Sequence, residues 1–152
     1  MDKLHFRNAE LADLPALVAM LADDVLGAAR EDASLPLDPG YAAAFAAIRA
    51  NANLRLIVAV LDGRAVGTLQ LVFVPGLARK GAWRGYIEGV RIAGDLRGQG
   101  LGDALVRWAV EQCRAQGCNS VQLTTDVSRA DAHRFYERLG FKLTHKGYKL
   151  VL

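Results

Sequence analysis

The chain has 152 residues, of which 52% are hydrophobic, and its formal net charge is +3 at pH 7. This length and composition predict one folded domain over residues 1–152 and argue against an intrinsically disordered protein. The longest apolar runs, such as residues 56–61, are too short to cross a bilayer, and no apolar signal segment follows the N-terminal charges.

The charges are unevenly distributed along the chain. Residues 1–50 contain eight acidic and four basic side chains, whereas residues 51–152 contain eight acidic and fifteen basic ones. The basic part indicates an anionic partner, but its arginines lack the clusters and interleaved aromatic residues typical of a nucleic-acid-binding face. The two cysteines, Cys113 and Cys118, match no zinc or redox motif, so we expect reduced thiols, no metal and a cytoplasmic protein.

The first half of the chain predicts a strand, two helices and a β-hairpin. Apolar residues recur at helical spacing in two segments, which a polar connection with proline and glycine separates. Asp62 and Gly63 stand between two runs of β-forming residues, and Asp-Gly at such a position is typical of a hairpin turn. The predicted elements are a strand at 4–9, helices at 12–26 and 41–52, and strands at 54–61 and 65–74.

The second half predicts a further hairpin strand, two helices and three more strands. Gly89 inside the hairpin strand indicates a bulge, and Gly117 and Gly140 end the two helices. The elements are a strand at 86–92, a helix at 101–116, a strand at 120–125, a helix at 129–139, and strands at 141–145 and 148–152. The order β-α-α-β-β-β-α-β-α-β-β predicts a single α/β domain with a mixed sheet of about seven strands flanked by four helices.

Three alternating glycines, Gly98, Gly100 and Gly102, lie where a strand leads into a helix. Free backbone N–H groups and the positive end of the helix dipole make such a turn a cradle for phosphate oxygens. Arg97 is placed to pair with a phosphate, whereas Asp103 suits the helix dipole but would repel an anion if aimed at it. The spacing does not fit a Walker or a Rossmann loop, and a flexible turn without a ligand is the alternative for this segment alone.

Two motifs together resemble the GNAT superfamily of N-acetyltransferases. Residues 97–102, RGQGLG, fit that family's acetyl-CoA signature Q/R-x-x-G-x-G/A, and residues 132–141, AHRFYERLGF, fit its second signature A-x-x-F/L-Y-x-x-x-G-F. Residues 6–17, FRNAELADLPAL, are similar to its opening R-x-A-x-x-x-D. The resemblance covers the whole chain, with one departure at Arg129, where many members carry asparagine.

The resemblance implies transfer of acetyl from acetyl-CoA to a small-molecule or protein amine by direct transfer in a ternary complex. It implies no nucleic-acid or membrane partner and a possible homodimer, for which residues 148–152 are a candidate edge. The backbone of Val90 and Ile92 would pair with pantetheine, and the amides of 97–102 would hold the pyrophosphate. The implied cofactor-binding set is Val90, Arg91, Ile92, Arg97, Gly98, Gln99, Gly100, Leu101, Gly102, Asp103 and Phe135.

Acetyl transfer needs a neutral amine and a proton for the departing thiolate. The second signature implies that Tyr136 is the acid, and a packing aromatic residue is the alternative. Glu88 is the candidate base because it lies two residues before Val90, which predicts that both side chains face the same side of the strand. Partial burial there would tune Glu88 for accepting a proton, and a solvent-facing glutamate in an ion pair is the alternative.

Two further alternatives stay open from the sequence. The acceptor would meet residues 27–40 and 75–85, whose side chains are compatible with a small amine, an aminoglycoside-like drug, an amino acid or a protein amine. A non-catalytic acyl-CoA-binding module on the same fold would keep residues 97–102 but would need neither Glu88 nor Tyr136.

Overall fold

The computed structural model describes residues 3–152 and has a mixed α/β fold with five strands and five helices. The strands are β1 (His5–Asn8), β2 (Leu54–Leu61), β3 (Arg64–Val74), β4 (Trp83–Ile92) and β5 (Cys118–Leu123). The helices are α1 (Leu14–Ala22), α2 (Pro39–Ala50), α3 (Ala78–Gly81), α4 (Leu101–Ala115) and α5 (Ala130–Arg138). None of the helices in this described part has the length and apolar character needed to cross a membrane.

The five strands form one sheet in the order β1-β2-β3-β4-β5. The first four strands pair with one another in antiparallel fashion, and β5 pairs parallel to β4. The predicted β2–β3 hairpin is confirmed, with Leu61 opposite Arg64 across the Asp62-Gly63 turn. A single parallel pair at the edge of an antiparallel sheet fits the chain order, because α4 supplies the long crossover that a parallel strand needs.

Each face of the sheet is covered by helices. One face carries Ile57, Leu69, Leu71, Phe73 and Ile87 and packs against α4 through Leu105, Val106, Ala109 and Cys113. The other face carries Val58 and Val60 and packs against α1 and α2 through Leu14, Leu17, Met20 and Phe45. β4 approaches α4 closely at Gly85, where a Cβ would clash with Cys113 Sγ.

The prediction of about seven strands and four helices is wrong at two places. Residues 142–152 form neither a helix nor a strand, although strands were expected at 141–145 and 148–152. A strand needs a hydrogen-bonded neighbour, and within the described chain no backbone hydrogen bond joins residues 142–152 to another segment. The additional helix is α3, a single turn with left-handed backbone at Arg79 and Lys80, between the strands predicted at 65–74 and 86–92.

Candidate functional site

β4 and β5 pair along only part of their length. The parallel ladder joins Trp83–Ile87 of β4 to residues 118–123 of β5, and β4 then continues to Ile92 without a partner on that side among the described residues. The predicted bulge is present, with Gly89 at a φ of 63°. The unpaired residues 88–92 therefore line an opening between the two strands, which we call the β4–β5 cleft.

The bulge changes which side chains of β4 share a face. Glu88 lies opposite Gln70 and Arg91 lies opposite Thr68, so one residue more is present on β4 than on β3 over this stretch. Glu88 and Arg91 consequently share the sheet face that packs against α1 and α2, whereas Val90 packs against the α4 core. The prediction that Glu88 and Val90 face the same side is wrong, because the additional residue inverts the alternation. Glu88 is also exposed rather than partly buried.

The glycine loop leads from β4 into the N-terminus of α4. Gly98 and Gly100 have φ values of 75° and 84°, a left-handed conformation that glycine adopts without strain. Gly100 occupies the position before the first turn of α4, and no side chain among the described residues caps the N–H groups of that turn. An uncapped helix N-terminus that follows an exposed loop is an arrangement suited to binding an anion.

The charged side chains of the loop are engaged with other protein groups. The Arg97 guanidinium donates to the backbone oxygen of Asp23 at 2.7 Å and lies 3.4 Å from its carboxylate. Arg97 thereby links the loop to the C-terminal end of α1 instead of projecting freely. Asp103 accepts a hydrogen bond from Arg107 at 2.7 Å, so its carboxylate is partly neutralised along the helix. Backbone N–H groups are thus the main donors that the loop offers.

Phe135 and Tyr136 of α5 lie close to this loop and to each other. A Cβ on Gly102 would lie 3.4 Å from the Phe135 ring, so α5 packs directly against the first turn of α4. The Tyr136 ring makes edge contacts with Phe135 and Phe141, with ring centroids 5.0 and 5.8 Å away. Burial raises the pKa of Tyr136, and the nearby positive charges of Arg91 and Arg129 lower it. The net shift is upward, so the phenol is protonated at neutral pH.

Sequence reasoning missed Asp24, which joins Arg91 and Arg129 next to the cleft. Arg129 binds Asp24 with two parallel hydrogen bonds of 2.7 Å each, and Arg91 Nη2 lies 3.6 Å from Asp24 Oδ2. The backbone N–H of Gly27 donates to the same carboxylate at 3.0 Å. Hydrogen bonding from Arg129, followed by that from Gly27, holds the pKa of Asp24 well below its usual range.

Two buried polar atoms in the described structure have no hydrogen-bond partner, namely Arg91 Nε and Thr125 Oγ1. Arg91 is in the unpaired part of β4, and Thr125 lies two residues after the end of β5. Because most buried polar atoms in proteins are paired, two orphans where the strands diverge single out this region as a place to bind a ligand.

The other side chains that the sequence singles out are potential metal ligands, the two cysteines and Asp126. In the described part of the chain no group of three His, Cys, Asp or Glu side chains is placed to hold a metal ion. Cys113 and Cys118 are free thiols, and burial raises the pKa of Cys113 to about 11. Asp126 accepts hydrogen bonds from the backbone and hydroxyl of Ser128, which shapes the turn before α5.

Comparisons with known proteins give a consistent result. A family model described as "Acetyltransferase (GNAT) family" matches residues 18–141. Aminoalkylphosphonate N-acetyltransferase of Salmonella typhimurium is 36% identical over 101 residues, which cover 66% of this chain and 65% of that protein. An L-methionine sulfoximine/L-methionine sulfone acetyltransferase of Pseudomonas aeruginosa is 30% identical over 146 residues, covering 91% of this chain and 80% of that protein.

Solved structures extend the similarity to the whole chain. A Bacillus halodurans protein described as a transcriptional regulator superposes with a TM-score of 0.96 and 48% identity, covering 99% of this chain and 100% of that one. A predicted acetyltransferase from Clostridium acetobutylicum, solved with acetyl-CoA, has a TM-score of 0.75 at 19% identity, covering 98% of this chain and 96% of that one. The second likeness concerns the fold alone.

We expect Asp24→Asn to lower the free energy of unfolding at pH 7 by about 1–3 kcal/mol, because two charge-assisted hydrogen bonds are weakened. A carboxylate with a lowered folded-state pKa stabilises the fold above its unfolded pKa of about 4, and this contribution is lost as pH falls towards the folded value. Urea unfolding of both proteins at pH 7 and pH 3 should therefore show a smaller difference at pH 3.

The control is Asp62→Asn in the exposed β2–β3 turn, which should leave stability within about 0.5 kcal/mol of the original at both pH values. An Asp24→Asn difference that is the same at both pH values would contradict the assigned ion pair.

Proposed function

The chain belongs to the GNAT family of acetyltransferases, and we propose that it moves the acetyl group of acetyl-CoA onto a primary amine by direct transfer in a ternary complex. The observation that carries this proposal is the continuity of the β4–β5 cleft with the glycine loop. Unpaired strand backbone at residues 88–92 leads, within a few residues, to the uncapped N-terminus of α4. The strand backbone can form hydrogen bonds with the amides of pantetheine, and the N–H groups at the N-terminus of α4 can donate to a diphosphate.

We assign the cofactor contacts to backbone groups. Val90 and Ile92 would pair with pantetheine as a neighbouring strand would, and the amides of residues 97–102 would hold the pyrophosphate. The left-handed glycines support this assignment, since they leave the amides of the loop accessible. Phe135 packs beside Gly102, where it borders the same loop. Arg91, Gln99, Leu101 and Asp103 would contribute through the backbone or as neighbours.

Direct transfer is favoured over an acetylated enzyme intermediate. The thiolate is the nucleophilic form of cysteine, and burial keeps Cys113 neutral with a pKa of about 11. Cys113 also lies against Gly85, in the part of β4 that is paired with β5 rather than in the cleft. The amine itself is therefore the proposed nucleophile.

In the proposed reaction the amine nitrogen attacks the thioester carbonyl carbon, the carbon–sulfur bond breaks and sulfur leaves as a thiolate. Tyr136 supplies the proton to that thiolate. Its raised pKa keeps the phenol protonated before the reaction, and the charges of Arg91 and Arg129 favour the phenolate that forms. The proton lost by the amine passes to Glu88 through water, since Glu88 is exposed beside the cleft.

We propose a small-molecule amine as the acceptor. The relatives that cover most of this chain are named for small substrates, namely aminoalkylphosphonates at 66% and L-methionine sulfoximine at 91%. The relatives named N-alpha-acetyltransferases cover 45% and 59% of it. A non-catalytic acyl-CoA-binding module is less well supported, because it would not need a protonated phenol next to two arginines. A cytoplasmic location stays a prediction from the sequence.

We also propose that two copies of the chain exchange residues 142–152. Leu143, Tyr148, Leu150 and Val151 are 83–94% exposed, which is unusual for so many large apolar side chains in one segment. In the described part of the chain β5 is an edge strand with a free hydrogen-bonding side, and the sequence of residues 142–152 favours strands. In each copy the outer edge of β5 and the segment 142–152 both lack a hydrogen-bonded neighbour. If residues 142–152 of each copy pair with β5 of the other, both requirements are met in a closed dimer.

Tyr136→Phe should lower kcat by about 100-fold, because the thiolate would leave without its proton donor. KM for acetyl-CoA should change little, since the ring and its contacts remain. CoA release in the presence of a panel of small amines measures both quantities. Tyr86→Phe is the control, since Tyr86 lies in the part of β4 that is paired with β5. Wild-type turnover in Tyr136→Phe would contradict the assignment.

Glu88→Gln should abolish the acidic limb of the kcat/KM profile against pH, because that limb would report protonation of the base. Glu111→Gln, at an exposed position of α4, should keep the wild-type profile. An acidic limb that survives in Glu88→Gln would remove Glu88 from this role.

The exchange predicts a dimer in solution, measured as mass by light scattering during size-exclusion chromatography. Replacing Leu150 and Val151 together by lysine should give a monomer, because two charges would then meet the partner's sheet. Leu77→Lys, at a position that is 98% exposed outside the segment, should remain dimeric. A monomeric wild-type protein would contradict the exchange.

A further inference from the structure

The cluster of Asp24, Arg91 and Arg129 beside the β4–β5 cleft contains two positive charges and one negative charge. Arg91 and Arg129 both approach Asp24, and burial, together with the charges of Arg129 and Arg30, lowers the pKa of Arg91. Glu88 is on the same face of β4 as Arg91, but among the described residues it makes no ion pair with these arginines. The Asp24–Arg91–Arg129 cluster therefore has a net positive charge.

The carboxylate of Asp24 is not available to bind a cationic amine. Its two oxygens already accept the two Arg129 hydrogen bonds of 2.7 Å and the Gly27 N–H at 3.0 Å, with Arg91 at 3.6 Å. The side chain of Asp24 is only 12% exposed. Its structural effect is to hold two guanidinium groups in fixed positions.

Arg91 is the least satisfied member of the cluster. Its side chain is 16% exposed, and burial lowers its pKa. Nη1 donates to the backbone oxygen of Val90 at 2.8 Å, the contact with Asp24 is long, and the buried Nε has no partner in the described structure. A buried guanidinium with unused donors is unfavourable unless an acceptor is supplied, and an oxyanion supplies several.

The position of the cluster connects it with acetyl transfer. Arg91 belongs to the unpaired part of β4, and its side chain is on the face of the sheet that packs against α1 and α2. Tyr136, the proposed acid, lies near enough to both arginines for their charges to act on it. An anion bound by the arginines would thus lie near the reacting groups.

We propose that Arg91 and Arg129, held in place by Asp24, bind an acidic group of the acceptor. The acceptor is then a small amine that carries a carboxylate, phosphonate or phosphate a few bonds from its amino group. The inference rests on the proposed acetyl transfer, and it assigns the specificity of that reaction to the cluster. Arg129, at the position where the motif usually has asparagine, becomes part of the acceptor site.

Matched acceptors test this specificity. 3-Aminopropylphosphonate and β-alanine should be acetylated with a kcat/KM about 100-fold above that of propylamine and 3-aminopropanol, since a bidentate charge-assisted contact contributes on that order. In Arg91→Gln this ratio should fall to within about 3-fold of unity. Arg91→Lys, which keeps the charge but loses the planar fork, should retain part of it. Arg114→Gln, at an exposed position of α4, should keep the whole ratio.

A binding measurement separates this inference from the proposed function. Propylphosphonate, which has no amine to acetylate, should bind the wild-type protein in calorimetry and bind Arg91→Gln at least about 10-fold more weakly. Circular dichroism would verify that each variant is folded. If amines are not acetylated while propylphosphonate binding depends on Arg91, the proposed reaction fails and the anion site stands. Equal rates with acidic and neutral amines, or equal propylphosphonate binding by the variant, would overturn the inference.

Discussion

The early end of the β4–β5 ladder is the constraint on which the site depends. Pairing stops at Ile87 and Leu123, while β4 continues to Ile92 with free backbone groups on one side. Unpaired backbone N–H and C=O groups of a strand need water or a ligand as hydrogen-bond partners. The separation of β4 from β5 therefore lowers the stability of the fold but leaves backbone groups that a ligand can bind. The bulge at Gly89 and the glycine loop lie on the stretch of chain that leads into α4. The opening is therefore continuous with the N-terminus of α4.

The Asp24 ion pair determines the other border of the opening. It joins the segment after α1 to the residue before α5, which are 105 positions apart in the sequence. Because a partly buried carboxylate that accepts two parallel hydrogen bonds from one guanidinium is rigid, α5 and the aromatic residues on it are held at a fixed distance from α1. The same carboxylate orients Arg91, so one acidic side chain organises both the arginines and the surroundings of Tyr136.

The local sequence pattern was sufficient to predict most helices and strands and the glycine loop. The segment 54–61 matches β2, and the helix predicted from Leu101 begins there as α4, because hydrophobic period, turn residues and glycine act within a few positions. Three features depend on distant parts of the chain and were not predictable in this way. The face of Glu88 depends on the number of residues opposite it in β3, the pairing of Arg129 depends on Asp24, and strands in residues 142–152 depend on a neighbour.

The central claim is that acetyl-CoA occupies the β4–β5 cleft with its diphosphate at the glycine loop. Backbone amide chemical shifts of the labelled protein, recorded while acetyl-CoA is added, test this claim directly. We predict the largest changes at Val90, Ile92 and residues 98–103, with little change at Asn51 and Asn53, which lie at the opposite end of the sheet from Ile92. Absence of binding, or largest changes outside the cleft and the loop, would contradict the account.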